Sequence, residues 1–136
     1  ELYVSLKKEF TASIITDLDK INSNLGKIRL IWSNSWNWGL DNPLKFKFLL
    51  QLDNTSCSVN LKQYPELVEN LEMFMNLIQN LIDTKIIKDI DIQFLMNSIF
   101  SLIISMVKHL TEFPELRHDQ VFIEQAWEMF YNYLKP

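Results

Sequence analysis

Between Leu30 and Asp53 the chain places three of its four tryptophans, one of its two glycines and two of its nine phenylalanines. No other stretch restricts the fold as much. Trp32 and Trp36 are four residues apart, so on a helix they lie one above the other on a single face. Asp41-Asn42-Pro43 then breaks that helix and restarts it. Asn42 is a good N-cap residue, and Pro43 falls at the first helical position, where its missing N–H costs nothing. Phe46, Leu49 and Leu50 follow at helical spacing, while Phe48 and Leu52 point elsewhere.

Turn-forming residues are scarce. Two Gly and four Pro in 136 residues disfavour an all-β fold, and 48% hydrophobic with 22% charged residues is the balance of an ordered globular domain. The length fits one domain with a single sizeable core, residues 1–136. A formal net charge of -4 argues against phosphate binding by this segment, so any contact with DNA belongs to another part of the protein. The lone Cys57 cannot form an internal disulfide, which fits a reducing, cytoplasmic setting. No signal-peptide pattern opens the chain, and no membrane association is expected. The most apolar run, Phe94 to Val107, is too short to span a bilayer and contains Asn97, Ser98, Ser101 and Ser105. The sequence starts without Met inside what reads as a helix, so an upstream segment is expected.

In order, Leu2, Leu6, Phe10, Ile14, Leu18 and Ile21 mark a long amphipathic helix, ended by Asn22-Ser23-Asn24 and Gly26. A second helix spans about Lys27 to Leu40 and a short third runs from Pro43 to Leu52. Asp53-Asn54-Thr55-Ser56 is turn material. Pro65 opens a fourth helix carrying Leu67, Val68, Leu71, Phe74, Met75, Ile78, Leu81 and Ile82, the cleanest apolar ladder in the chain. Lys85 to Asp89 connects it to a fifth, Asp91 to Leu110, which is apolar nearly all round and must be buried on more than one side. A loop from Thr111 to Gln120 precedes the last, aromatic helix, Val121 to Leu134. The expectation is an all-α, six-helix domain.

This order of helices, the aromatic helix ending at Pro43 and the run Phe46-Lys47-Phe48-Leu49 together resemble the C-terminal regulatory domain of TetR-family transcriptional regulators. The opening Glu-Leu-Tyr resembles the point where that family's helix-turn-helix module hands over to the regulatory domain. The resemblance implies a homodimer joined through the last two helices, a ligand cavity among the first five, and operator DNA bound only through an upstream helix-turn-helix. It implies a small hydrophobic or amphiphilic ligand that modulates operator binding.

Aromatic clusters suit such ligands because binding pockets are mostly apolar. Phe10, Ile14, Asp17, Trp32, Trp36, Phe46, Met73, Leu77 and Phe94 are the expected ligand-binding residues. Asp17 lies beside the apolar stripe of the first helix and would suit a cationic group, although a solvated carboxylate at the stripe's edge has the same pattern. Leu102, Met106, Trp127, Phe130 and Tyr131 are the expected dimer-interface residues, being of the apolar and aromatic types that such interfaces favour. The same side chains could fill a monomeric core.

The inventory for catalysis is thin. Glu115-Leu116-Arg117-His118 has the Glu-x-x-His spacing of di-iron bundles without the second copy those sites need. Cys57 has no nearby His in sequence, and phosphate-loop and nucleophile-elbow motifs are absent. No catalytic residue, metal site or cofactor is expected. The alternative to a ligand sensor is a helical protein–protein interaction module whose aromatics are simply core.

Overall fold

The computed structural model describes residues 2–53 and 61–136. The expected turn residues Asn54-Thr55-Ser56, and Cys57, lie outside the described residues. Six α-helices are present among those described: α1 (Leu2–Ile14), α2 (Asn24–Asp41), α3 (Pro43–Asp53), α4 (Pro65–Asp83), α5 (Ile92–Glu112) and α6 (Gln120–Leu134). Three short 3-10 segments, Leu18–Lys20, Leu61–Gln63 and Pro114–His118, punctuate them, and no strand occurs among the described residues. The chain forms two compact units, residues 1–77 and 78–136.

In the first unit α1 packs on α2 and α3, and α2 also packs on α3. Tyr3, Val4, Leu6, Phe10 and Ile14 are the buried stripe of α1, at the three- and four-residue spacing of one helix face. The helix stops at Ile14 rather than continuing to Ile21 as its apolar spacing predicts. Asn34 of α2 explains the stop. Its Nδ2 donates to the carbonyl oxygens of Ile14 at 3.3 Å and Thr16 at 3.1 Å, filling positions that further helical N–H groups would have taken. Asp17 then adopts the left-handed region (φ 65°), as residues just past helix ends do. Leu18 keeps its place in the core through the 3-10 turn.

Two local expectations are corrected. Ser23 and Gly26 begin α2 instead of ending the first helix: Ser23 is the N-cap, and its Oγ accepts from the Gly26 N–H at 3.0 Å. A Cβ on Gly26 would lie 2.8 Å from both Ser23 Oγ and Ile21 Cγ2, so glycine leaves room for the cap. Asn42 serves both helices: its carbonyl accepts the Phe46 N–H at 2.9 Å, the N-cap position of α3, but its side chain turns back to α2. Its side chain donates to the Trp38 carbonyl at 3.1 Å and its backbone N–H to the same oxygen at 2.9 Å, closing α2, while Pro43 starts α3 as expected.

Side-chain bonds fasten the helices of this unit. Thr11 Oγ1 donates to the Lys7 carbonyl at 2.8 Å and accepts from Asn70 Nδ2 of α4 at 3.3 Å. Lys8 pairs with Glu66 at 2.9 Å and Lys45 with Glu9 at 3.0 Å, surface pairs of modest worth.

In the second unit, Lys85 (φ 61°) turns the chain after α4, and Asp91 caps α5 by accepting from the Phe94 N–H at 2.9 Å. Lys88 fastens this connection to the end of α6. Its backbone N–H donates to the Leu134 carbonyl at 2.7 Å and its ammonium to the Tyr133 carbonyl at 2.6 Å, satisfying carbonyls that a helix C-terminus leaves open. Asp119 caps α6 through the N–H groups of Val121 and Phe122. The expected Thr111–Gln120 loop is shorter than its sequence reads, because α5 runs to Glu112 and a 3-10 turn takes up Pro114–His118.

The 21-residue α5 is long and apolar enough by composition to cross a membrane, which corrects the expectation from the Phe94–Val107 run alone. Leu95, Ile99, Ile103, Met106, Val107 and Leu110 are its buried residues, a one-sided stripe such as core helices carry.

Candidate functional site

The aromatic residues of α1, α2 and α3 form two ring groups in the first unit. Phe10 and Trp38 are edge-to-face with ring centroids 5.2 Å apart, and Trp38 meets Phe46 the same way at 6.3 Å. Trp32 and Trp36, one helical turn apart, make a third edge-to-face pair at 5.6 Å. All five rings are at most 8% exposed. Ile14, one turn beyond Phe10, is buried as well.

Trp38 is the member that sequence reasoning missed. It lies two residues after Trp36, off the Trp32/Trp36 face, and that offset aims it at the rings of α1 and α3. The spacing placed it on a different face without saying what that face meets.

The other expected ligand-binding residues stand differently. Asp17 is at the surface, its side chain 56% exposed and paired with Lys20 at 3.0 Å. It therefore matches the solvated-carboxylate reading rather than a counter-ion beside aromatics. Met73 is 46% exposed and Leu77 half-buried. Phe94 belongs to the second unit and is 56% exposed.

One polar atom of the Trp32–Trp36 pair is unsatisfied. Trp36 Nε1 is buried and has no hydrogen-bond partner among the described residues. The neighbouring Ser35 hydroxyl, also buried, donates to the Ile31 carbonyl at 2.6 Å.

In the second unit, Trp127 stacks on Tyr131 (5.9 Å, 9°) and tilts against Phe130 (5.7 Å). Met106, Trp127 and Phe130 are 8%, 7% and 4% exposed, so the chain itself covers three of the five residues expected at a dimer interface, as the monomeric-core alternative has it. Leu102 and Tyr131 are half-buried. Val121, Met129 and Tyr133 of α6 are the exposed large apolar side chains of that helix. No group of three or more His, Cys, Asp or Glu placed to hold a metal ion occurs among the described residues.

No protein-family model matches the chain, and no curated protein matches it in sequence. Its fold does match a solved structure, that of a protein from Shewanella sp. PV-4 assigned to the TetR family of transcription regulators. The TM-score is 0.78 over 97% of this chain and 70% of that one. The fold is TetR-like. At 17% sequence identity the correspondence is one of architecture: a TetR-like helical fold carried by a very different set of side chains. The aromatic cluster of α1 to α3 is therefore described from this chain's own residues.

Proposed function

We propose that this chain is the ligand-sensing and dimerisation part of a TetR-like transcriptional regulator. The correspondence of fold over nearly the whole chain carries this reading. The ligand is small and hydrophobic or amphiphilic and engages the aromatic cluster of residues 1–77, built around Phe10, Ile14, Trp32, Trp36, Trp38 and Phe46. Operator DNA is contacted by a helix-turn-helix upstream of Leu2, since a net charge of -4 gives this segment no electrostatic footprint for phosphates. The protein works in the cytoplasm as a homodimer joined through α5 and α6, with Leu102, Tyr131 and the exposed side chains of α6 at the seam.

Ligand binding acts through α1. Phe10 lies in the cluster, and the same helix leads back toward the upstream module. A ligand that favours one setting of α1 changes the spacing of two DNA-reading modules across the dimer, and half-site geometry converts spacing into affinity. It must bind the two settings with different affinities, or it shifts nothing.

Native mass spectrometry of the gently purified chain tests this reading. A species of twice 16.2 kDa carrying a small retained molecule supports it; a bare 16.2 kDa monomer at micromolar concentration contradicts it.

A second reading, a helical protein–protein interaction module, is favoured by the three edge-to-face pairs these five buried rings make, which is how a filled interior looks. In that case the chain binds no small molecule.

A further inference from the structure

We propose that Trp36 Nε1 is the docking point for an uncharged hydrogen-bond acceptor, a ketone, ester or ether oxygen, on an otherwise apolar ligand. This rests on the ligand-sensing reading above and specifies its chemistry. Trp36 is 4% exposed and its indole N–H meets no acceptor among the described residues. Buried polar groups in folded proteins are paired in the great majority of cases, and buried tryptophans normally find an acceptor for this N–H. The indole nitrogen is a donor only, so nothing but an acceptor can satisfy it.

The surroundings narrow the class further. Trp32 lies edge-to-face at 5.6 Å, and the one buried hydroxyl beside Trp36 in sequence, Ser35, is committed to the Ile31 carbonyl. A carboxylate or phosphate brought into such apolar company would lose its hydration for a single hydrogen bond, a poor exchange. A neutral oxygen on a flat or compact hydrocarbon loses far less and gains the N–H.

Acetophenone and ethylbenzene, nearly equal in shape but differing in the carbonyl, are suitable probes. Each is titrated into the full chain labelled with 15N at its indole nitrogens, and the four tryptophan side-chain resonances are followed. The Trp36 resonance is assigned by its loss in Trp36→Phe, or by elimination with Phe variants of the other three tryptophans should that variant not fold. The expected result is a saturable downfield shift of the Trp36 indole proton with acetophenone and not with ethylbenzene. Trp36→Phe should weaken acetophenone binding about fivefold to tenfold more than it weakens ethylbenzene binding, that difference being the worth of one net hydrogen bond. Binding of both probes with equal response at Trp36 overturns the acceptor proposal and leaves the ligand reading standing, an internal water then being the partner of the N–H. Binding of neither probe overturns the acceptor proposal, and a retained small molecule in native mass spectrometry then shows that the ligand reading outlives it.

Discussion

Tyr3 Oη donates a 2.7 Å hydrogen bond to Asp53 Oδ1, joining the first turn of α1 to the last residue of α3 across fifty positions of sequence. Lys7, one turn further along α1, approaches the same carboxylate at 3.5 Å. The two contacts hold the start of α1, the end that faces the upstream module in the proposed regulator, against a fixed point on α3.

Tyr3→Phe should therefore cost about 1.5–3 kcal/mol in urea unfolding, the range for a hydrogen bond to a charged acceptor. Burial first, then the bond to Asp53 and its negative charge, hold the Tyr3 phenol protonated well above its ordinary value of 10.0. Above that value the unfolded chain gives up this proton while the folded chain keeps it. Tyr3's contribution is thus fully present below about pH 10 and declines as pH rises beyond it. The native-minus-Tyr3→Phe difference in stability should be flat through neutral pH and shrink from pH 10 upward.

On α3, Leu49 is fully buried and Leu44 is 68% exposed. Leu49→Ala should destabilise by about 2–5 kcal/mol and Leu44→Ala by no more than about 0.5 kcal/mol. Paired denaturation curves check which face of α3 belongs to the core.

Gly26→Ala sets two effects against each other. Alanine favours a helix by up to about 1 kcal/mol over glycine. Its Cβ, however, would press at 2.8 Å on the Ser23 cap oxygen and on Ile21, and losing an N-cap costs about 1 kcal/mol before any strain is added. The net effect should be destabilising in thermal unfolding, whereas Ser23→Ala alone should lose only the cap.

Folding and assembly should separate in the second unit. Trp127 is covered within the chain, so Trp127→Ala should cost about 3–5 kcal/mol of folding stability. Met129 is 76% exposed, so Met129→Glu should leave the unfolding midpoint of the monomeric state nearly unchanged and weaken the proposed dimer in sedimentation equilibrium.

Helix number, helix type and the apolar ladder of α4 were legible in the sequence because spacing at three and four residues is local information. What was not legible came from distant partners. The end of α1 at Ile14 depends on Asn34, twenty residues on, while the periodicity through Leu18 and Ile21 pointed to a longer helix. Asn42 stands between two helices, and only the position of the Trp38 carbonyl decides which of them its side chain serves. For the cluster, Trp32, Trp36, Phe10 and Phe46 were evident from helical spacing, but Trp38 needed the α1–α3 packing to be seen. Trp127 and Phe130 have the composition of an interface and the burial of a core, and residue type alone does not separate those roles.

The most direct measurement is thermal unfolding of the chain across a panel of small neutral, cationic and anionic hydrophobic compounds. A ligand that binds only the folded state stabilises it by about 2.7 kcal/mol at a hundredfold excess over Kd. The expected result is a concentration-dependent rise in midpoint with at least one neutral, acceptor-bearing compound, smaller at the same ligand concentration in a folded Trp32→Phe or Trp36→Phe variant. A panel in which no compound raises the midpoint would contradict the ligand-sensing reading and leave the aromatic cluster as the packed core of an interaction module.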